Sequence, residues 1–380
     1  MRAALLCFSF VLGLVLAPLG SSHDADSSDV VDGDYDENDN CSTHLPLSAN
    51  LPPYTWHSNL TTPSATARAL FNQGFLLCMA FNQDEAVRSF QAAAEAHLRH
   101  DNGLDRNQTQ PSQPSCFAMA HFGIAFALSP DINRNLTDAG RLQQAQQAAA
   151  AAVECAKSGP PLSEVERALV DAMSLRMPAA RTLDNGWGYD VAYAAAVNAS
   201  VAASATLLAN PDALVLAVEA FMTTSPWNYY DPATQQPYDW VEQARGRLDD
   251  AIEISSSTAG LLPHPLALHL RIHLVEMLAF EPAIDTLNAT ADVLRRIIPD
   301  DAYGIGHLTH MPTHVYVLVG RWKDAAENNV KAVASDRAYF ARCVDPNLEV
   351  QSYYRCAGCS SKSTQLLCSC CCLWCCCLCQ

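Results

Sequence analysis

A short histidine-rich segment carries the residue types with the most chemical potential. Residues 306–314 read GHLTHMPTH and place His307, His310 and His314 at spacings of three and four. Side chains at these spacings share one face of a helix, so the rings are expected to lie side by side. Pro312 lacks a backbone N–H and favours a helix start at that point, with the first two histidines in the entering turn.

A second segment offers a similar arrangement. Residues 264–276 read HPLALHLRIHLVE, with His269 and His273 four apart and Glu276 three residues further on. Six of the 12 histidines of the chain fall between residues 264 and 314. Such clustering makes independent structural roles for each ring less expected than for an isolated histidine.

Three kinds of chemistry fit these residues. Neutral imidazole is the most common nitrogen ligand of zinc, copper and iron, so two or three of the rings could hold a transition metal ion. Glu276 would then be a further ligand or a general base of a metal-dependent enzyme. The histidines could instead bind an anionic or peptide ligand with the help of Arg271 or Arg321. They could also satisfy buried helix ends without forming a site.

The composition excludes some functions. Hydrophobic residues make up 49% of the chain and charged residues 17%, as in ordered globular proteins. Acidic residues outnumber basic ones by 40 to 23, giving a net charge of −17. Nucleic-acid binding requires a basic surface, which this sequence lacks, so nucleic acid is not an expected partner. P-loop, GxGxxG, HExxH and GxSxG motifs are also absent.

The elements that would position the histidines are predicted to be helices. From residue 63 onward alanine is frequent and apolar residues recur at three and four, without alternation of period two. Ser163 followed by Glu166 predicts a capped helix start. In the stretch from residue 69 to 98, Gly74, Ala86 and Phe90 have the spacing of two closely packed helices with an aromatic ring between them. The sequence therefore predicts an all-α chain of short paired helices.

Several segments together resemble a known repeat family. They are FNQDEAVRSF, AMAHFGIAFALSPDIN, LSEVERAL, SPWNYYD, HPLALHLRIHLVE and GHLTHMPTHVYVLVGRWKDA. They are similar to tetratricopeptide-repeat (TPR) proteins found mainly in bacteria and some microalgae, over residues 66 to about 354. The family has no assigned biochemical activity, so the resemblance implies a solenoid of antiparallel helix pairs and leaves the function open. The segment SYYRCAGCSSKS departs from the Pro-His-Asn-x-His-Phe motif with which relatives continue.

The resemblance also implies where the histidines lie. With Gly320 and Ala325 at repeat positions 15 and 20, the three histidines of residues 306–314 fall on the first helix of a repeat. That helix lines the concave groove, and the preceding repeat places a second set beside it. The residues expected in one binding groove are His269, His273, Glu276, His307, His310 and His314, with the five histidines as candidate metal ligands.

These observations lead to one preferred function and two alternatives. The preferred function is a secreted binding or scaffold protein that holds a small ligand, a peptide or a metal ion in the groove. The first alternative is a zinc-, copper- or iron-dependent enzyme that uses the same cluster. The second is an architectural solenoid without a site. Whether the chain is an enzyme stays open at this stage.

The ends of the chain are expected to be processed or irregular. Residues 1–22 have the layout of a cleaved secretory signal peptide, with an apolar run too short for a typical membrane span. Residues 23–62 read as an acidic and proline-rich disordered leader, and residues 63–354 as the helical repeat domain. Residues 355–380 form a cysteine-rich tail, which we interpret as a gene-model artefact or a modified or metal-binding segment.

The predicted secretory route agrees with two further features. Six Asn-X-Ser/Thr triplets predict glycosylation in the secretory pathway. They begin at Asn40, Asn59, Asn107, Asn135, Asn198 and Asn288. Seven cysteines lie between residues 41 and 359, and these could pair in an oxidising compartment, for example Cys78 with Cys116.

Overall fold

We analysed a computed structural model of the chain. It describes residues 44–343 apart from 46, 48–49, 58, 102–115, 235, 259–260 and 277–282. The predicted signal peptide, the cysteine-rich tail and two of the glycosylation triplets, at Asn40 and Asn107, lie outside the described residues. Throughout the described part the ordered elements are helices, with no β-strand, which confirms the all-α prediction.

The helices are short to medium in length and are numbered here in chain order. They are α1 Ala65–Met79, α2 Gln83–Asp101, α3 Ala118–Leu128, α4 Ala139–Ser158, α5 Glu164–Arg176, α6 Gly186–Ala203, α7 Ala205–Leu208, α8 Pro211–Thr224, α9 Asp239–Ser257, α10 Pro265–Val275, α11 Ala283–Ile297, α12 Gly306–His310, α13 Pro312–Leu318 and α14 Trp322–Cys343.

Local sequence signals explain how several helices begin. Helix α5 starts with the predicted capping box, in which the Ser163 hydroxyl accepts from the backbone N–H of Glu166 and the Glu166 carboxylate accepts in return. Helices α8 and α10 both begin with proline after a side-chain cap, Asn210 in one case and His264 in the other. Proline is favoured at this position because it has no N–H to leave unsatisfied.

Helices that follow one another along the chain pack as neighbours, and small residues allow close approach. The ring of Phe90 lies against Gly74 of α1 and Gly123 of α3, and a Cβ at Gly74 would lie 2.8 Å from the ring. Phe90 itself is fully buried. The predicted arrangement of small residues around one aromatic ring is therefore present at the first helix pairs.

Helix α10 occupies a central position. It contacts α9 and α11, its neighbours in sequence, and also α1, α8 and α13. All residues from Leu266 to Val275 except Arg271 are buried. A helix that is buried on nearly every side needs apolar or internally satisfied side chains all round. This helix nevertheless carries His269 and His273, each no more than 1% exposed, so both rings are enclosed by protein.

Parts of the chain that are distant in sequence also meet. The side-chain amide of Asn82 donates to the carbonyl of Gly304 at 3.0 Å. Arg88 on α2 donates to the hydroxyl of Tyr339 on α14 at 2.7 Å. These contacts link α2 and the turn before it to α14 and the loop before α12, whereas each unit of an open solenoid contacts only its neighbours.

The segment before α1 packs more tightly than its sequence indicated. Leu45, Tyr54 and Trp56 are buried in the hydrophobic core. This differs from the disordered leader expected for residues 23–62, since the segment from residue 44 onward contributes to the core. The reason is that its aromatic and aliphatic side chains find apolar partners, for example Tyr54 stacked 5.7 Å from Phe75 between ring centroids.

Two expectations about covalent chemistry require correction. Cys116 and Cys155 form a disulfide, which ties α4 to the segment just before α3, while Cys78 is a buried free thiol. The suggested pairing of Cys78 with Cys116 is therefore wrong.

The triplet at Asn198 is buried, and its amide donates to two backbone carbonyls, so the folded chain offers no room for a glycan there. Asn59 and Asn135 are exposed, and Asn288 is half-buried.

Candidate metal centre

Helix α10 provides the first wall of the site. The cap at His264 and the proline at position 265 fix its start, and its apolar residues bury it among five other helices. Because His269 and His273 are one turn apart, their rings lie on one face with centroids 4.9 Å apart.

Helices α12 and α13 provide the opposite wall. A break at Met311 and Pro312 separates the two short helices, so His307 and His310 lie on α12 and His314 on α13. The start of α12 requires a glycine because the carboxylate of Asp336 accepts from the Gly306 N–H. A side chain at residue 306 would collide with that carboxylate.

Two imidazoles are oriented by neutral oxygen atoms. His269 donates through Nδ1 to the carbonyl oxygen of Met79 at 2.8 Å. The Nδ1 of His310 lies 2.6 Å from Oδ1 of Asn329, an oxygen that Thr313 also approaches at 3.4 Å. A carbonyl oxygen can only accept, so each Nδ1 carries the proton. The neutral ring then has its lone pair on Nε2, which points into the cluster.

Glu276 orients two more rings at once. Its Oε1 accepts from His273 Nδ1 at 2.8 Å, and its Oε2 accepts from His314 Nδ1 at 2.6 Å. One carboxylate therefore joins α10 to α13 and fixes both imidazoles. A carboxylate placed behind a histidine is the usual second partner of metal-bound imidazole.

The Nε2 atoms meet at the centre of the cluster. His269 and His307 have their Nε2 atoms 3.1 Å apart, and so do His310 and His314. The Nε2 of His273 is buried and has no hydrogen-bond partner among the described residues. The ligand atoms of His269, His273 and His307 all lie within 4.8 Å of one another. Two facing lone pairs repel, so each short contact needs a proton or a metal ion between the rings.

Burial keeps most of the rings neutral. It lowers the pKa of His269 and His307 well below the usual value, and neighbouring histidines add to the effect. Burial and the proximity of His314 lower the pKa of His310 to about 3. The pKa of His273 is also lowered by burial, which outweighs its bond to the carboxylate. Neutral imidazole is the form that binds metal ions.

His314 and Glu276 behave as an ion pair. Burial disfavours a charge on His314, but the adjacent Glu276 carboxylate outweighs burial and raises the pKa of His314. Burial likewise opposes ionisation of Glu276, yet His314 and then His273 hold the pKa of that carboxyl well below its usual range. While His314 is protonated the pair carries no net charge, and the Glu276 carboxylate stays ionised beside the cluster.

Two aromatic rings cover the cluster. The Phe81 ring lies 4.5 Å from the His307 ring and 5.0 Å from the His269 ring, between centroids. The Trp227 ring stands edge-on to His273 at 4.9 Å. Phe81 and Trp227 both have positive φ, 55° and 61°, which is strained for bulky side chains. Strained backbone of this kind is concentrated at functional sites.

In another group of potential ligands the carboxylate is already satisfied. Asp212 accepts from the hydroxyl of Tyr54, from the backbone N–H and Nδ1 of His57, and from Nε2 of His264 at 3.0 Å. These four donors fill the lone-pair positions of a carboxylate. The group therefore serves to fix the segment before α1 against α8 and α10. The third group, Cys116, His121 and Cys155, contains the disulfide.

The structure brings together all six residues that the sequence placed in one site. It differs from the sequence-based expectation in exposure, because an open groove would leave the rings accessible. His269, His273, His307 and His310 are instead 0–3% exposed, and the side chain of His314 is 11% exposed.

Sequence reasoning missed the residues that complete the site. These are the carbonyl of Met79, the amide of Asn329 and the ring of Phe81, all from other helices or turns. No spacing signal links them to the histidines, since each meets the cluster only through tertiary packing.

A scan against protein-family models, a search of curated proteins and a search of solved structures each found no match to this chain. None of the described helices is long and apolar enough to cross a membrane.

Proposed function

We propose that the chain binds a transition metal ion through Nε2 of His269, His273 and His307. One observation carries the proposal: three buried imidazole nitrogens converge, and no described residue offers the Nε2 of His273 a hydrogen bond. Leaving a buried polar atom unsatisfied costs about 1–3 kcal/mol, which a bound ion would remove. Helical and aromatic packing holds this arrangement in place.

The distances are suited to a metal ion. Zinc binds histidine nitrogen at about 2.0–2.1 Å, so two ligands of a tetrahedral ion lie roughly 3.3 Å apart. The 3.1 Å between Nε2 of His269 and His307 is close to that value. Imidazole ligands without a thiolate suit zinc, copper and iron. The apolar rings of Phe81 and Trp227 would exclude water and strengthen the metal–nitrogen interaction.

The ligand number favours a reactive ion as the second candidate function. Three imidazoles leave a fourth position for water or substrate, as in catalytic zinc sites, whereas structural sites are closed by four protein ligands. Glu276 takes part as an orienting group in this scheme, because both of its oxygens already accept from imidazoles. The burial of the rings supports an ion or a small molecule as the occupant in preference to a peptide.

The proposal also includes the helical arrangement of the chain and the compartment in which it folds. Close packing of consecutive helix pairs, as at Gly74 and Phe90, supports a TPR-like solenoid, with the additional contact between α2 and α14 closing it. The Cys116–Cys155 disulfide supports folding in an oxidising secretory compartment, where such bonds persist.

Metal analysis of the full chain tests the proposal. The protein would be produced through a secretory route without a histidine tag, and its metal content measured by mass spectrometry. The wild type is expected to carry at least one equivalent of a transition metal, and the His269→Ala, His307→Ala double variant is expected to lose it. His100→Ala, on α2, serves as the matched control and should retain the metal. A folded wild type that stays metal-free after incubation with zinc, copper and iron would refute the proposal.

A further inference from the structure

The remaining two histidines of the cluster form a second set of ligands. Nε2 of His310 and Nε2 of His314 lie 3.1 Å apart, the same distance as between His269 and His307. One tetrahedral ion accepts four ligands, and three are supplied by the first set. Five imidazoles therefore exceed what a single ion with an open position requires.

The second pair is held as firmly as the first. Asn329 on α14 fixes His310, and Glu276 at the end of α10 fixes His314, each through Nδ1 at 2.6 Å. The residues are four apart across the junction of α12 and α13, which gives a two-nitrogen unit on one helical face. Orientation by outer oxygen acceptors is the feature that distinguishes built metal sites from accidental histidine pairs.

The two sets are neighbours. The His307 and His310 rings lie 6.1 Å apart and the His273 and His314 rings 5.3 Å apart, between centroids. Glu276 touches both sets, since its two oxygens accept from His273 and His314. Ions bound by the two sets would share this carboxylate as a common outer partner, as in two-metal sites, where the ions lie about 3.5–4 Å apart.

The geometry points to a two-metal centre, with a second transition metal ion bound by Nε2 of His310 and His314. This inference rests on the proposed function of the first set. With only two protein nitrogens, the second ion has more positions open to water and substrate than the first. It also lies on the more accessible side, because the side chains of His314 and Glu276 are 11% and 13% exposed, in contrast to 0–3% for the other histidines. Substrate would therefore reach the second ion first.

Calorimetric titration of metal-free full-length protein with zinc tests this inference. The wild type is expected to take up two equivalents, the second more weakly. The His310→Ala, His314→Ala double variant is expected to keep the tight equivalent and lose the other, while His100→Ala keeps both. Circular dichroism would establish that each variant is folded.

The outcomes separate the two proposals. One equivalent in both the wild type and the double variant would overturn the second ion and leave the first. One equivalent in the wild type and none in the variant would show a single ion shared by both sets, which also overturns the inference. No binding by the wild type would overturn the proposed function as well.

A measurement on the wild type alone covers the case in which the variant fails to fold. The protein would be loaded with two equivalents of Cu²⁺ and examined by electron paramagnetic resonance. Two neighbouring ions couple, so the number of detected spins is expected to fall below the number of bound copper ions. Spins equal in number to the bound copper would overturn the two-metal centre.

Discussion

Acid is expected to destabilise the metal-free protein steeply, because its buried histidines must stay neutral in the folded state. The pKa values of His269, His307 and His310 are lowered in the folded chain, to about 3 for His310, mainly by burial. In the unfolded chain each has a pKa of about 6.5. Their contribution to stability is therefore complete above pH 6.5 and is lost as the pH falls towards the folded values.

The size of the effect follows from proton linkage. Between pH 7.5 and 5.5, a histidine that remains neutral when folded loses about 1.4 kcal/mol of stability. Three such residues give a loss of about 4 kcal/mol, a large share of the roughly 5–15 kcal/mol that stabilises a domain. His273 acts in the same direction, and His314, whose pKa is raised, acts in the opposite one.

Urea denaturation followed by circular dichroism at pH 7.5, 6.5 and 5.5, with a chelator present, measures this loss. His310→Asn is expected to reduce the pH dependence by about 1.4 kcal/mol over this range, because one titrating group is removed. Gly246→Ala, which removes no titratable group, is the control and should leave the slope unchanged. A wild type whose free energy of unfolding changes by less than about 1 kcal/mol would refute the account of neutral buried rings.

Four substitutions test other parts of the structure. Gly306→Ala is expected to lower the free energy of unfolding by about 1–3 kcal/mol, because the new Cβ would collide with Asp336. Gly246→Ala should instead stabilise α9 by up to about 1 kcal/mol, because no described atom lies within 4 Å of the new Cβ. Thermal melts of the two variants compare these effects. Glu276→Gln is expected to weaken metal binding about 10–100-fold in chelator competition, and unchanged affinity would contradict its orienting role. Asp212→Asn should lower the free energy of unfolding, measured in urea, by about 3–5 kcal/mol, because it leaves His57 and His264 without their charged partner. A loss under about 1 kcal/mol would show that Asp212 does not fix the segment before α1.

The histidine cluster was accessible from the sequence because of its spacing. Intervals of three and four place rings on one helical face whatever the tertiary structure, and the expectation that the two segments lie side by side came from the family resemblance. The all-α fold was visible for the same reason, and the capping box at Ser163 marked a helix start correctly. These are local signals, which a single sequence carries in full.

Burial of the histidine cluster could not be predicted from the sequence in the same way. It depends on α10 meeting α1, nearly 200 residues away, and α8, and on Phe81 folding over the His307 ring, more than 200 residues away. The disulfide partner of Cys116 and the burial of Asn198 depend on such contacts too. An amphipathic pattern predicts that a face is covered, but not which segment covers it.

Charge balance leads to a last prediction about the first ion. A divalent cation bound by neutral His269, His273 and His307 places two positive charges in an enclosed site, where uncompensated charge is costly. The ion disfavours a proton on the neighbouring His314, so Glu276 is left with one negative charge beside the cluster. The second is expected from an anion, such as hydroxide, in the open coordination position, since a bound metal lowers the pKa of its water to about 7.

Azide can report on that open position. The Co²⁺-loaded protein, limited to one equivalent, is expected to change its visible absorption on addition of azide, with saturation at one anion per ion. Glu276→Gln removes the fixed negative charge, so the metal-loaded variant should bind azide more tightly than the wild type, while Glu242→Gln, an exposed carboxylate on α9, should not. A spectrum that azide leaves unchanged would mean that protein groups fill the coordination sphere. The first ion would then be structural, and any reaction would be confined to the ion bound by His310 and His314.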